Sequence, residues 1–306
     1  MAISHVCVLG GGGFVGRRLV SRLHAAGIPV RVLTRRRESA RALWLLPSVT
    51  VVESDIHDRA ALERQFAGMD AVINLVGILH ERKTGDFHRT HVALVHKIVA
   101  ACRTAGVRRY LHMSALQASL DAPSAYLRSK GEGEAAALAA EGGALHVTVF
   151  RPSVIFGPGD AFLNVFSRLL KRLPVLPLAC PDAKFQPVFV GDVARIFAAS
   201  LRHSATWGQR YNVCGPRVYT LRQLVALVST MSGRRRRIIG LNPSLSYLQA
   251  WMMEWLPSPL MTRDNYLSMN VDNVCDGPFP AVFGLTPAAV ETEAPAYLAA
   301  TVERSG

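Results

Sequence analysis

The sequence predicts an α/β fold, in which a doubly wound parallel sheet carries a smaller substrate or lid region on its carboxyl side. Three observations support this prediction. An apolar run at 6–9 leads through a cluster of glycines into a helical pattern. Strand-like runs then alternate with helical segments as far as residue 113. Polar residues follow the carboxyl ends of several predicted strands, and this edge is where ligands bind in such sheets.

The first element is a short strand, 6–9, whose apolar residues are typical of a strand buried on both faces. The glycines that follow can provide a tight turn, a close approach to a pyrophosphate and close helix packing. Backbone N–H groups and the helix dipole would then meet the phosphate charge. The pattern therefore predicts a dinucleotide-binding turn. Its expected binding residues are Gly10, Gly13, Phe14, Val15 and Gly16.

The second predicted strand, 30–34, bears on the choice of cofactor. Proteins that prefer NAD place a carboxylate near the end of this strand, where it binds the ribose 2′-hydroxyl. Here Arg35, Arg36 and Arg37 follow the strand, and Glu38 is the first acid after the glycine turn. Because arginine pairs with a 2′-phosphate, we expect NADP(H) to be preferred, with NAD(H) as the alternative.

The third and fourth predicted strands, 49–52 and 71–75, end close to the same expected cofactor. Asp55 and Ile56 follow the third strand, where a contact with the adenine edge is expected, although an acid there is also an ordinary cap. The fourth strand ends in a turn on the carboxyl edge of the sheet. The residues of this turn are Leu75, Val76 and Gly77.

The fifth predicted strand, 110–113, is followed directly by Ser114, and Tyr126 and Lys130 come next in a helical segment. Residues four apart share one helical face. An ammonium beside a phenol lowers the pKa of the phenol, which can then exchange a proton with a carbonyl or alcohol. With 7 tyrosines in 306 residues and five lysines, such a pair arises by chance in about one chain in ten. The position of the Tyr126 and Lys130 pair after Ser114 therefore predicts a catalytic site.

Composition narrows the class of protein. Half of the 306 residues are hydrophobic and 19% are charged, as in a globular protein with ample core. The net charge is +13, but the excess is almost entirely arginine and no nucleic-acid-binding motif accompanies it. We therefore expect no nucleic acid partner. The histidines lack a completing set of ligands, so we expect no metal. They lie at His80, His88, His91 and His96.

The five cysteines are dispersed and form no CxxC pair. Cys7 and Cys214 lie in apolar runs, so buried reduced thiols are expected rather than disulfides. The first strand begins too early to leave room for a signal peptide, and no apolar run is long enough to span a bilayer. These features favour a cytoplasmic location, with a peripheral position on the inner face of the membrane as the alternative.

Taken together, these motifs resemble the short-chain dehydrogenase/reductase superfamily, in its extended and atypical branches of the NAD-dependent epimerase/dehydratase type. The matching segments are 10–16, 55–56, Ser114, Tyr126 with Lys130, and 151–158. More narrowly, 112–116, 126–132, 151–166, 185–194 and 272–274 resemble bacterial relatives of the complex I accessory subunit with this fold.

The resemblance implies a Rossmann fold and residue roles. Gly10, Gly13 and Gly16 would hold the pyrophosphate, Arg35 the adenosine end, and Lys130 the nicotinamide ribose. Pro152 to Val154 would approach the nicotinamide, and Tyr126 would be the acid or base. Three functions stay open: an oxidoreductase or epimerase-type enzyme, a non-catalytic subunit or assembly factor of a respiratory complex at the membrane, and a regulator that senses redox state through NADP.

The remaining chain is expected to form the lid. Residues 1–157, with 185–215 returning to them, would form the nucleotide-binding domain, and 158–184 with 216–306 the substrate region, which contacts an unidentified small molecule. Arg234 to Arg237 predict a solvated loop, with an anionic partner or lipid headgroup as the alternative. The segment 247–256 is rich in Trp and Met. It predicts a buried lid helix, with an exposed patch for a membrane or a quinone-type ligand as the alternative.

Overall fold

The computed structural model describes residues 3–257 and 259–299. Within them the chain forms thirteen strands and eleven α-helices, together with short 3₁₀ and π turns. The strands are β1 (Val6–Leu9), β2 (Val30–Thr34), β3 (Val49–Glu53), β4 (Ala71–Asn74), β5 (Arg109–Met113), β6 (His146–Pro152), β7 (Ile155–Phe156), β8 (Val175–Leu178), β9 (Lys184–Phe185), β10 (Val188–Phe189), β11 (Gln209–Val213), β12 (Tyr219–Thr220) and β13 (Arg237–Gly240). The helices are α1 (Phe14–Ala25), α2 (Arg59–Phe66), α3 (Leu94–Thr104), α4 (Ala125–Leu138), α5 (Leu163–Arg172), α6 (Val190–Ser200), α7 (Leu221–Met231), α8 (Pro243–Glu254), α9 (Arg263–Met269), α10 (Val290–Glu293) and α11 (Pro295–Leu298).

Seven strands form one parallel sheet in the order β11-β6-β5-β4-β1-β2-β3. The order reverses at β1, so β1 and β4 meet at the switch point, where the carboxyl ends of the strands leave a crevice for ligands. The predicted doubly wound parallel sheet is therefore confirmed. The predicted strands also agree with the observed ones to within one residue.

Helices cover both faces of the sheet, and the apolar side chains of a strand point alternately to the two faces. In β1, Val6 and Val8 pack on one face, which α1 and α6 cover, whereas Cys7 and Leu9 pack on the other, which α2 and α3 cover. All four side chains are buried. A strand apolar at every position is stable only between two helical layers. The sequence prediction for this run therefore holds.

Arg109 in β5 is a charged residue in the middle of this core. Its side chain is fully buried, and its guanidinium donates to the Ser200 and His146 carbonyls and to the Thr148 and Thr206 hydroxyls. Burial lowers the pKa of Arg109 to about 10. The side chain thereby links β5, β6, α6 and the turn before β11.

The remaining residues pack a second, smaller core. The parallel pair β8 and β13 lies beside α5 and α7, and their apolar residues form one cluster with α10 and α11. Cys214, directly after β11, is bonded to Cys275, and their Cα atoms are 6.1 Å apart. The expectation of a reduced Cys214 is therefore wrong. The two cysteines are 61 positions apart, so no local sequence pattern predicts their pairing.

Two further expectations concern the segment 247–256 and membrane-spanning helices. The helix predicted over 247–256 forms as α8, but it is not buried lid core. Only Ser246 and Ala250 of this helix are buried, whereas Trp251, Met252 and other large apolar side chains are exposed. The patch is therefore exposed, as in the alternative, whereas its membrane or quinone-type ligand stays a prediction. Among the described residues, no helix is both long and apolar enough to cross a bilayer.

Candidate active site

The glycine turn lies at the switch point of the sheet, between β1 and α1. Gly10 has φ +78°, a conformation that favours glycine, and its carbonyl accepts the N–H of Gly13 at 3.0 Å. A Cβ on Gly16 would lie 2.3 Å from the Gly10 oxygen, so only glycine lets α1 approach the turn this closely. This geometry fits a dinucleotide, because the backbone is free to approach a pyrophosphate.

The start of α1 faces the same crevice. Gly13 caps the helix without a side-chain hydrogen bond, and only the Gly10 carbonyl lies within 4 Å of where a Cβ on Gly13 would be. Phe14 and Val15 form the first helical turn, and Val15 is buried against the sheet. The helix N-terminus is therefore anchored by its apolar side, and its backbone N–H groups have no side-chain cap that competes with an anion.

A cluster of positive charge lies at the far end of the crevice. Arg35 and Arg36 are exposed after β2, and neither forms an ion pair within the described residues. Burial lowers the pKa of His57, and the charges of Arg89, Lys97 and Arg35 lower it further. Arg35 thus belongs to a cluster that also includes Arg89 and Lys97. Sequence reasoning did not identify these two, because they come from the segment before α3 and from α3 itself.

Asp55 and Ile56 lie beside this cluster, after β3. The Asp55 carboxylate is exposed and accepts the N–H of His57 at 2.8 Å, so it caps the turn. Ile56 is buried in the core below. The structure thus gives Asp55 the capping role that was the alternative at the level of sequence, and it leaves the adenine contact a prediction.

The turn after β4 approaches the reaction centre. Asn74 accepts the N–H of Val76, and Leu75 donates to the Leu9 carbonyl, so the turn is held against β1. A Cβ on Gly77 would lie 3.7 Å from the His91 Nε2 and 4.0 Å from the Lys130 Nζ. Gly77 therefore lies where the β4 turn, the His91 segment and α4 meet.

The helix α4 presents Tyr126 and Lys130 on one face, as predicted. Ser124 caps the helix by accepting the Leu127 N–H at 3.2 Å. Asp264 of α9 accepts the N–H groups of Ala125 and Tyr126 at 2.6 and 3.1 Å. The helix α9 thus holds the start of α4 and positions Tyr126. Sequence reasoning did not identify Asp264, because the contact joins residues 138 positions apart.

The proton states in this site differ from the expected ones. Burial raises the pKa of Tyr126 to about 12, and the Asp264 carboxylate contributes in the same direction. Burial lowers the pKa of Lys130 to about 8, although Glu134 opposes the change. The Nζ of Lys130 donates to the Met113 carbonyl at 2.7 Å. Tyr126 therefore keeps its proton at neutral pH, in contrast to the lowered pKa inferred from the spacing of the pair.

His91 connects this helix to the β4 turn. Its Nε2 accepts the Ile78 N–H at 3.1 Å, so its Nδ1 carries the proton and donates to the Ser129 hydroxyl at 2.9 Å. Ser129 in turn donates to the Tyr126 carbonyl. His91 is 2% exposed. A Cβ on Gly133 would lie 1.8 Å from the His91 oxygen, so this glycine lets α4 pack directly on the His91 segment.

The segment Pro152 to Val154 is held in place by Asn273. Asn273 Oδ1 accepts from the Ser153 hydroxyl at 2.5 Å and from the Val154 N–H at 3.1 Å. Ser114 lies on the neighbouring strand end, where its hydroxyl is buried and has no hydrogen-bond partner among the described residues. A buried hydroxyl without a partner is costly, and such groups deserve a functional explanation.

A cavity of about 520 Å³ lies next to these residues. Tyr126 and Pro152 to Val154 line it, together with apolar residues of α5, β8 and α8 and of the segment 259–261. The Tyr126 hydroxyl has no partner among the described residues, so it is available to a ligand. Across residues 3–257 and 259–299, no three His, Cys, Asp or Glu side chains are placed to hold a metal ion.

Comparison with known proteins identifies the family. Residues 6–214 match the NAD dependent epimerase/dehydratase family. The chain belongs to this family. The match covers the glycine turn, Tyr126 and Lys130, and it ends after β11. The Rossmann-type sheet of this structure thus agrees with its membership of an NAD dependent family.

Curated relatives of this epimerase/dehydratase family protein include respiratory subunits and reductases. It is 33% identical over 264 residues to the mitochondrial NADH dehydrogenase (ubiquinone) 1 alpha subcomplex subunit 9 of Arabidopsis thaliana, a match covering 83% of this chain and 65% of the relative. The mouse subunit is 33% identical over 74% of this chain and 61% of its own length. A ceramide reductase of Caulobacter vibrioides is 34% identical over 64% of this chain and 61% of its own. The matches thus span less than two thirds of each relative.

Solved structures share the fold at lower identity. The UDP-glucose 4-epimerase of Thermotoga maritima, solved with UDP-glucose, has a TM-score of 0.76 and 17% identity, covering 99% of this chain and 100% of its own. A nucleoside-diphosphate-sugar epimerase of Staphylococcus aureus has a TM-score of 0.74 and 19% identity, covering 96% and 99% of the two chains. These likenesses show the fold alone.

Proposed function

We propose that this protein is an NADP(H)-dependent oxidoreductase that reduces a carbonyl group, with Tyr126 as the acid. The observation that carries the proposal is the position of the Tyr126 hydroxyl. It is protonated, has no partner within the described residues, and belongs to a side chain that lines an apolar cavity beside the segment 152–154. A group that donates a proton to a reacting oxygen needs these properties.

In this proposal, residues 1–157 with 185–215 bind the nucleotide, and 158–184 with 216–306 form the substrate region. The nucleotide contacts would come from Gly10, Gly13, Phe14, Val15, Gly16, Arg35, Arg36, Asp55, Ile56, Leu75, Val76, Gly77, Lys130, Pro152 and Val154. A bound nicotinamide supplies the hydride. Tyr126 donates its proton to the substrate oxygen, and Ser114 rotates to hydrogen-bond the same oxygen. Lys130 holds the ribose and supplies positive charge beside the phenol.

Replacing the phenol tests this role. We expect Tyr126→Phe to lower kcat for NADPH-dependent carbonyl reduction by about 10²–10⁴-fold, because general acid catalysis contributes that much. The Kd for NADPH should stay within about twofold, because the replaced hydroxyl lies on the cavity wall. Leu120→Phe, at an exposed position, serves as the control. Unchanged turnover in Tyr126→Phe would refute the role of Tyr126.

A second candidate function is a non-catalytic nucleotide-binding subunit or assembly factor of a respiratory complex. The relatives from Arabidopsis and mouse favour it, because they are subunits of NADH dehydrogenase. The buried, neutral His91 beside Lys130 also favours it, because it provides packing rather than a proton. The two candidates differ in one measurement: the second predicts tight NADPH binding with no turnover on any carbonyl compound.

We also propose that the protein lies peripherally on a membrane with anionic lipids. Exposed apolar side chains cover α8 and the residues after it: Leu245, Tyr247, Leu248, Trp251, Met252, Trp255, Leu256 and Leu260. Gln249 donates to the Pro177 carbonyl, so α8 adjoins the pair of β8 and β13, which exposes Val175 and Ile239. Arg237 lies opposite Val175 in this pair.

The charge around this surface supports anionic lipid as its partner. Exposed arginines that form no ion pair within the described part of the chain lie on α5 and at the start of β13: Arg168, Arg172, Arg235, Arg236 and Arg237. Arg236 donates to the Leu170 carbonyl, so this run lies against α5. Apolar side chains flanked by arginine suit the interface of a bilayer with anionic headgroups.

A further inference from the structure

The lining of the cavity beside Tyr126 indicates a substrate class that cannot be inferred from the fold alone. Among the described residues that line it, none is Asp, Glu, Lys or Arg. Most of the wall is aliphatic, aromatic or methionine, with leucines from α5, β8 and the segment 259–261. A nucleoside diphosphate carries two or more negative charges, and proteins bind such groups through arginine, lysine or helix N-termini.

The polar groups on this wall are mostly occupied by the protein itself. Asn273 Oδ1 accepts from Ser153 and Val154, and Asn265 Oδ1 accepts from Thr262. The amides of Gln117 and Gln249 donate to backbone carbonyls. Sugar recognition requires hydrogen-bonding groups that are free to pair with hydroxyls. Among the described residues, the Tyr126 hydroxyl and the His80 imidazole are what remains free on this wall.

The size of the cavity matches an extended apolar ligand. At about 520 Å³ it falls within the range of small-molecule sites, which are mainly apolar with a few polar groups that orient the ligand. Tyr126 and Ser153 lie on the wall near the predicted nicotinamide segment, whereas Phe166, Leu169 and Leu176 line the part formed by α5 and β8. A ligand with one polar end beside Tyr126 and a long apolar part along α5 and β8 would match this lining.

We propose that the cavity binds an uncharged carbonyl compound with a long hydrocarbon chain, acyl or prenyl, and excludes nucleoside-diphosphate sugars. This inference rests on the proposed reductase function for its chemistry. The carbonyl carbon accepts the hydride from NADPH and the oxygen takes the proton of Tyr126, which gives the carbinol and NADP⁺. The Tyr126 phenolate that remains regains its proton from water. The chain lies along α5 and β8, with its far end toward Met253 and Leu260.

Binding by a homologous series tests the proposal without turnover. Tyr126→Phe loaded with NADPH is titrated calorimetrically with 2-hexanone, 2-octanone, 2-decanone and UDP-glucose. Affinity should rise up to about fourfold per added methylene, because each buried methylene contributes a fixed increment, and UDP-glucose should show no heat of binding. Affinity that does not change with chain length, or UDP-glucose binding that displaces 2-decanone, would overturn the proposal.

A charged wall supplies the second test. Leu169→Lys places an ammonium in the apolar part of the cavity, and we expect it to weaken 2-decanone binding at least about tenfold. Leu45→Lys, at a position 88% exposed and away from the cavity, should leave that affinity unchanged. NADPH binding by both variants confirms that they are folded. Equal 2-decanone affinity in the two variants would contradict the proposal.

The same series separates this proposal from the reductase function. Chain-length-dependent binding to the wild-type protein with no NADPH oxidation would refute the reductase function and support the ligand class. Reduction of 2-hexanone with no gain for longer ketones would support the reductase function and refute the ligand class.

Discussion

Three titratable side chains surround the candidate reaction centre, and burial shifts the pKa of each. His91 falls to about 2, Lys130 to about 8, and Tyr126 rises to about 12. In each case the charged form loses hydration in the interior, so the neutral form is favoured. At neutral pH the site therefore holds a neutral imidazole and a protonated phenol. This arrangement suits proton donation to a substrate oxygen.

The shifted pKa of His91 predicts a loss of stability in acid. Below pH 6.5 the unfolded chain binds a proton at His91 that the folded protein does not, so stability falls with pH from 6.5 toward 2. At pH 5 this difference amounts to about 2 kcal/mol. Urea denaturation of His91→Gln between pH 7 and pH 5 should therefore show a flatter pH dependence than the wild-type protein. His88→Gln, at an exposed position, should keep the wild-type slope.

The proposed preference for NADP(H) depends on two arginines after β2. We expect the double substitution Arg35→Ser and Arg36→Ser to raise the Kd for NADPH about tenfold or more, because charge-assisted hydrogen bonds to the 2′-phosphate are lost. The Kd for NADH should not change. Fluorescence titration of both nucleotides measures the difference, and the exposed Arg202→Ser is the matched control. Equal affinities of the wild-type protein for NADPH and NADH would remove the basis of the preference.

Among the secondary structure elements, α4 is positioned by contacts that come from distant parts of the chain. Gly131 and Gly133 let it approach Ser119 and the His91 segment, where a Cβ would clash with backbone atoms. Asp264 of the lid binds the first N–H groups of the helix. The Tyr126 side chain therefore depends on three elements beyond its own. Its helical spacing from Lys130 was readable in the sequence, but its environment was not.

Arg109 and Arg108, neighbours in sequence, should differ sharply in their contribution to stability. Arg109→Ala leaves the buried carbonyls of Ser200 and His146 without their donor and opens a cavity. We therefore expect it to lower the free energy of unfolding by about 3–5 kcal/mol. Arg108 pairs with Asp70 at 2.8 Å near the surface, so Arg108→Ala should cost only about 0–1 kcal/mol. Urea denaturation compares the two, and equal losses would contradict this account.

The molecule as a whole combines a positive charge with one exposed apolar region. Its net charge is +13, and the arginines of β13 lie on the strand pair that α8 adjoins through Gln249. Sequence periodicity favoured burial of α8, because a helix apolar on most sides is usually covered. Among the described residues, α8 is covered only where it lines the cavity or contacts α9. The remaining apolar face is a property of the assembled lid.

Vesicle binding measures this property. The protein should sediment with vesicles of phosphatidylcholine and phosphatidylglycerol at low salt, and less at high salt or without the anionic lipid, because salt screens the arginine contribution. Trp251→Ser with Trp255→Ser should reduce binding at both salt concentrations. Trp44→Ser, 53% exposed and distant in sequence, is the matched control. No association of the wild-type protein under any of these conditions would exclude the membrane proposal.

Much of the fold was evident from local sequence. The run at β1, the glycine turn and the alternation of strands with helices predict the parallel sheet, because a strand apolar at every position requires helices on both faces. The same reasoning places Ser114, Tyr126 and Lys130 at the carboxyl edge. These features depend on residues close together in the chain, so periodicity and spacing suffice to predict them.

Tertiary structure alone decided the rest. The bond between Cys214 and Cys275, the Asn273 contacts with Ser153, the Asp264 contacts with α4 and the apolar wall of the cavity join residues that are far apart in the chain. The raised pKa of Tyr126 likewise depends on burial, and burial is set by the packing of the lid. Local sequence determined the sheet and the order of the candidate residues along it. Only packing between distant segments determined which groups stay neutral, which surface is exposed and what the cavity can hold.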